Sequence, residues 1–147
     1  MKSAIRYAAA AVVLAGCICT SALLTGCKER GGKEALSPEA TVEAFTRHIA
    51  AGEFGQAMTL CDTVRMRDYI QKWTQLWNTL EKKDSSTLAI ASGLLAGAEF
   101  NFESSEKTDN GREVCYNIEA GGQSVRRKAM LRKEEGEWMV ETITDAI

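Results

Sequence analysis

The residue most clearly placed for covalent chemistry is Cys27, in Leu24-Thr25-Gly26-Cys27. Small residues ahead of a cysteine let an extended chain enter a peptidase site, and the thiol can then carry an acyl-bearing glyceryl group. Upstream lie Lys2 and Arg6, then an apolar run from Ala8 to Leu24, the charged and apolar regions of a secretory signal. Leu14-Ala15-Gly16-Cys17 has the same pattern and is the runner-up. Hydrophobicity arbitrates between them. After Cys17 the chain stays apolar through Ile18, Ala22, Leu23 and Leu24, whereas after Cys27 it turns polar at once with Lys28, Glu29 and Arg30. For an uncleaved membrane span the run is barely long enough.

The arrangement resembles the signals of bacterial lipoproteins, with residues 1–26 removed and Cys27 lipidated. Two or three acyl chains, at about 0.8 kcal/mol per buried methylene, would anchor the chain stably to a membrane. Lys28 after the cysteine resembles an outer-membrane sorting signal, so the expected location is the cell envelope, at the outer membrane, with the periplasmic or surface side open. Of 18 basic residues Lys2 and Arg6 leave with the signal while all 20 acidic residues stay, giving a mature net charge of about -4. Such a chain has no field to attract nucleic acid. About 120 residues remain, the size of one domain.

Any such chemistry needs folded elements to hold it in place. Residues 27–36, with Gly31-Gly32 and mixed charges, read as a flexible tether, and residues 37–147 as one domain. Ser37-Pro38-Glu39 starts a helix running to about Ala51, with Val42, Phe45 and Ile49 as its buried stripe and Gly52 as its stop. A short helix follows, using Phe54, Ala57, Met58 and Cys61. Thr63 to Lys83 is expected to form the central helix, with Met66, Ile70, Trp73, Trp77 and Leu80 on its apolar side, flanked by Tyr69 and Leu76. Leu88 to Ala96 reads as another short helix ending at Gly97.

Beyond Gly97 the period changes to alternation, and four strands form an antiparallel meander. Asp109-Asn110-Gly111 suits a three-residue hairpin with its glycine left-handed, and Gly121-Gly122 a two-residue one. These turns pair Phe102 with Ile118, Phe100 with Ala120, Ile118 with Val125, Tyr116 with Arg127 and Val114 with Ala129. If the last turn spans Glu134 to Glu137, Leu131 faces Val140 and Trp138 joins the same face. The other face then carries Glu113, Asn117 and Glu119 beside Arg126, Lys128 and Arg132, a solvated mosaic of opposite charges. The expected fold is α+β, N-terminal helices packed on a curved four-stranded antiparallel sheet.

Register singles out Arg127, turned inward between Val125 and Ala129, opposite Tyr116 and near Ser104. An inward arginine must meet a carboxylate, a solvated cavity or an anionic ligand. Tyr116, Trp73, Trp77 and Trp138 would wall a pocket around it, although helical and strand spacing also explains the tryptophans as core. His48, the single histidine, sits three residues after Phe45 at the edge of a buried stripe. Asp62 and Asp68 occupy cap or surface positions. No catalytic residue set emerges, and no metal or cofactor is expected, since no cysteine-histidine spacing supports a metal site. Cys61 and Cys115 are not expected to pair, because Cys115 points to the charged face and the helices cover the other.

Three segments carry a resemblance to a known family: Ser-Pro-Glu-Ala-Thr-Val-Glu-Ala-Phe from Ser37, Gly-Glu-Phe-Gly-Gln-Ala from Gly52 and Gly-Glu-Trp-Met-Val from Gly136. They look like small bacterial lipoproteins of the domain-of-unknown-function 4878 type, a group similar to the nuclear transport factor 2-like, or cystatin-like, superfamily. The resemblance implies a cone-shaped domain whose interior is a ligand pocket, an active site or a filled core. The leading expectation is a lipid-anchored envelope domain, not an enzyme, binding a small ligand or a partner protein. One rival is a cone-pocket enzyme of isomerase or dehydratase type using His48 or an aspartate, which requires that group in the same cavity as Arg127. Another is a structural role with a filled cone and an apolar patch for homodimerisation.

Overall fold

A computed structural model describes residues 34–146. The signal, the lipidation candidates Cys27 and Cys17, and most of the tether lie outside the described residues. Among the described residues no helix is long and apolar enough to cross a membrane. Among the described residues four helices precede four strands: α1 Pro38–Ala50, α2 Phe54–Met58, α3 Arg67–Lys83, α4 Ser85–Ala96, β1 Glu99–Lys107, β2 Arg112–Ala120, β3 Gln123–Glu134 and β4 Glu137–Asp145. The strands form one antiparallel sheet in the order β1-β2-β3-β4. The fold is α+β, helices on one face of a curved meander, as alternation and turn chemistry required.

The α1 helix starts where its sequence says. Ser37 Oγ accepts from the Ala40 N–H at 3.1 Å, and Pro38 sits where its missing N–H costs nothing. Val42, Phe45 and Ile49 are buried, together with Thr41, against Val114, Tyr116, Ala129, Leu131 and Val140 of the sheet. In and after α2, Ala57 and Cys61 are buried and Phe54 packs on the core, but Met58 is exposed. A five-residue helix turns Ala57 to the sheet and its neighbour Met58 away.

Thr63 to Met66 form a turn rather than the first turn of the central helix. The Asp62 carboxylate accepts from the Val64 and Arg65 N–H groups, both at 3.0 Å, which closes a loop before α3 can begin at Arg67. The last helix begins earlier than its apolar run. Asp84 caps it by accepting from the Thr87 N–H at 3.0 Å, drawing Ser85 to Thr87 into α4. Met66 just before α3 and Ile70 within it enter the core, while Leu76 is exposed.

Registers in the second and third hairpins follow from their turns. Gly121 and Gly122 (φ 58° and 77°) and Glu135 and Gly136 (φ 50° and 87°) make two-residue connections with both central residues left-handed, and pair Tyr116 with Arg127, Val114 with Ala129 and Leu131 with Val140. The first hairpin differs from expectation. Lys107 pairs with Arg112 across a four-residue loop, Phe100 pairs with Ile118 instead of Ala120, and Phe102 pairs with Tyr116 instead of Ile118. The longer loop alone would slip the strand by one residue and turn Phe100 and Phe102 to the charged face. A bulge at Glu103, between Phe102 and Ser104, adds the residue that restores them to the core side. Gly111 is not left-handed. It is glycine because its α-carbon lies against the β3 backbone, where a β-carbon would stand 2.9 Å from the Leu131 carbonyl carbon.

The outer face carries the expected charges. Arg126 meets Glu103 at 2.6 Å, Lys128 meets Glu113 at 3.2 Å, and Arg132 reaches Glu141 at 3.3 Å and Asp62 at 3.6 Å. At the open edge of β4, the Val140 N–H donates to the Leu60 carbonyl (2.9 Å) and the Asp62 N–H to the Val140 carbonyl (2.8 Å), so Leu60 to Asp62 shield that stretch. Cys61 and Cys115 are both free thiols, as their opposite placement requires.

Candidate functional site

The helical layer does not fill the space over the sheet. A cavity of about 310 Å³ lies between the C-terminal half of α1, the start of α3, the inward side of α4 and the inner face of β2 to β4. Thr46, Ile49 and Ala50 come from α1, Tyr69 and Trp73 from α3, and Ala91, Leu94 and Leu95 from α4. Its floor is the alternating row Tyr116, Ile118 and Ala120 on β2 beside Gln123, Val125 and Arg127 on β3, with Ile143 on β4. Its size falls at the low end of small-molecule sites, about 300–1,000 Å³.

The cavity exists because α4 is tied down through its C-terminal half and packs only loosely on the rest of the domain. It has no fully buried residue, and Ile90 and Leu94 remain 65% and 48% exposed. Arg47 fixes its C-terminal end, donating to the carbonyls of Ala96 (3.1 Å) and Ala98 (3.0 Å) with its guanidinium 4.9 Å from the Phe100 ring centre. Ser92 Oγ donates to the Ala50 carbonyl at 3.0 Å. The apolar, uncharged run from Leu88 to Ala96 was the signal that could have marked α4 as a cavity wall, since it lacks the polar face of an ordinary surface helix.

Arg127 lines the cavity and forms an ion pair through Nη1 with Asp145. Strand β4 ends there, leaving Gln123 to Arg126 exposed and Val125 beside the opening. Two phenols stand near the guanidinium. Burial pushes the Tyr116 hydroxyl well above its ordinary range, with Tyr69 adding to the shift and the Thr46 hydroxyl and Arg127 opposing it. Burial likewise raises Tyr69, opposed by the neighbouring Trp73 indole and by Arg127. Both phenols are therefore neutral donors at ordinary pH.

Of the five residues expected to form a pocket, Arg127, Tyr116 and Trp73 come together and Trp77 and Trp138 do not, and His48, the remaining candidate, lies outside the lining as well. Trp77 lies over Gly52, where a β-carbon would meet its ring at 2.5 Å, and packs edge-on to Phe54 at 6.2 Å. Trp138 stands at the opposite end of the sheet under Lys133, 5.7 Å from its ring centre. His48 Nδ1 is 2.6 Å from Glu53 Oε2 at the end of α1, away from the lining. Phe102, rather than Ser104, is the β1 neighbour of Tyr116, because of the bulge. Asp62 is a turn cap paired with Arg65 and Arg132; the Arg65 N–H, foremost, and the Val64 N–H hold its carboxyl below the usual range, with Arg132 and Arg65 adding to this. No group of acidic, histidine and cysteine side chains that could hold a metal occurs among the described residues.

No protein-family model matches the chain. No curated protein matches it either. Among solved structures it is similar to a SEC-C motif containing protein from Rhodopseudomonas palustris, at 17% identity over 76% of this chain and 80% of that one, with a TM-score of 0.43. It is also similar to a nuclear transport factor 2-like protein of unknown function from Cytophaga hutchinsonii, at 10% identity over 76% of this chain and 89% of that one, with a TM-score of 0.40. Likenesses this distant assign neither family nor function.

Proposed function

We propose that the chain is a lipid-anchored protein of the cell envelope, tethered through Cys27, whose folded domain takes up a small, mostly apolar ligand without transforming it. The observation that carries this reading is the cavity of about 310 Å³ with a mainly aliphatic and aromatic lining and one charged side chain, Arg127. Its polar lining groups are hydroxyls, one indole N–H, one amide and one guanidinium, a set suited to positioning rather than to proton transfer at neutral pH. Kinship with lipoproteins of the domain-of-unknown-function 4878 type belongs to the same proposal, as does an outer-membrane address. The anchor would confine the cavity to the membrane surface and raise its effective concentration for ligands there.

Mass spectrometry of the full chain extracted from its own membranes tests both halves. The expected spectrum shows an acylated N-terminus at Cys27 and a bound small molecule lost on denaturation. Cys27→Ser should abolish acylation while Cys17→Ser keeps it. An unacylated chain retaining Met1 would overturn the address, and an empty protein from every growth condition would overturn the binding role.

A further inference from the structure

We infer that the ligand is a small amphiphile with a single carboxylate, whose head takes the place of Asp145 on Arg127 while its apolar body lies between Trp73, Ile143 and α4. This rests on the binding role proposed above and names the chemistry of the bound molecule. Arg127 is the one charged side chain in the lining. Its partner Asp145 is not part of the lining, is 76% exposed, and engages Nη1 alone, whereas the Arg127 side chain is only 32% exposed. A guanidinium offers five donors in a planar fork, so one exposed carboxylate leaves most of them free for a second acceptor. Exposed ion pairs are weak and exchange easily.

Two further donors converge on the same place. The Tyr69 and Tyr116 hydroxyls both lie close enough to Arg127 to feel its charge, and burial keeps both protonated. Both tyrosines line the cavity, where a neutral phenol can donate its proton to a bound acceptor. One cation and two neutral donors suit a single negative charge; a phosphate dianion would remain under-compensated in so apolar a site. The aliphatic side chains of Ala91, Leu94, Leu95 and Ile143 offer nothing polar to the rest of the ligand.

The test uses the full chain in lipid nanodiscs and equilibrium dialysis of two probes of matched shape, 4-phenylbutyrate and neutral 4-phenylbutanol, with the variants Arg127→Gln and Asp145→Asn. Partition into lipid is common to all three proteins and cancels in the comparison. The acid is expected to bind about tenfold more weakly to Arg127→Gln, as loss of a charge-assisted hydrogen bond implies, and several-fold more tightly to Asp145→Asn. The alcohol is expected to bind all three equally. If the alcohol binds and the acid ignores both variants, the cavity takes ligands and the carboxylate inference fails. If neither probe binds above empty nanodiscs, the binding role and the inference fall together. Asp145→Asn leaves Arg127 in place, so an unchanged acid affinity there overturns the inference even if Arg127→Gln is unstable.

Discussion

Gly111→Ala should strongly destabilise the domain although its backbone is not left-handed. Its β-carbon would stand 2.9 Å from the Leu131 carbonyl carbon and 3.2 Å from the Arg132 α-carbon, and closer still to the Leu131 carbonyl oxygen. Ordinary contact begins at 3.4 Å. All three atoms are backbone, so no rotamer change makes room, and the β1–β2 loop must lift away from β3 where Arg112 pairs with Leu131. Overpacking costs about 1–3 kcal/mol and each ladder hydrogen bond disturbed adds about 1 kcal/mol, so the loss should be about 3 kcal/mol. For a domain of this size that lowers Tm by roughly 10 °C or more. Two controls separate the causes. Gly122→Ala, at φ +77° with nothing within 4 Å, meets only the left-handed backbone cost of about 1–2 kcal/mol. Gly97→Ala, at φ -88° with its nearest neighbour at 3.8 Å, should be neutral within about 1 kcal/mol. Urea denaturation followed by circular dichroism ranks the three. If Gly111→Ala costs no more than Gly122→Ala, the packing of this loop on β3 is wrong.

Native alkylation at pH 8 should label Cys115 and spare Cys61, because burial, with help from Asp62, pushes the Cys61 thiol up to about 11 and Cys61 is 1% exposed; equal rates would contradict this. Glu39 titrates below its ordinary range, chiefly through a hydrogen bond with Ser105, so its ionised form stabilises the fold above the unfolded carboxylate range and that contribution is lost as pH falls through the lowered value. Glu39→Gln should therefore be less stable than the parent at pH 7 and converge with it in acid, and a difference independent of pH would refute the interaction. His48→Ala should leave probe binding unchanged and shift stability by no more than about 1 kcal/mol, since it loses one partly exposed contact with Glu53; a large binding loss would return His48 to the site.

The sheet was largely legible because two constraints agree. Left-handed turn residues at Gly121-Gly122 and near Gly136 fix register, and alternation then sends Val114, Tyr116, Ala129 and Leu131 to one face. In the first hairpin a longer loop and a compensating bulge cancel in their effect on facing. Alternation sees only which side Phe100 and Phe102 take, not which neighbours they meet, and nothing about a glutamate marks Glu103 as the extra residue. The same limit explains the tryptophans. Trp73 and Trp77 share a helical stripe, but one turn of helix, about 5.4 Å, carries one into the cavity and the other onto Gly52. Trp138 faces the core side at the wrong end of its strand. Arg127 and Tyr116 were legible together because a single register places them opposite each other. Asp145 was not, because the bulge between Thr142 and Val140 decides which residue of β4 reaches Arg127.

Of the three tryptophans in the chain, only Trp73 lines the cavity, and this gives the most direct test of a ligand site under α4. In an indole-resolved proton–nitrogen correlation spectrum of the full chain, 4-phenylbutyrate should move the Trp73 Nε1–H signal and leave those of Trp77 and Trp138 in place. Movement of Trp77 or Trp138 with Trp73 unchanged, or no movement at saturating probe, would contradict the site.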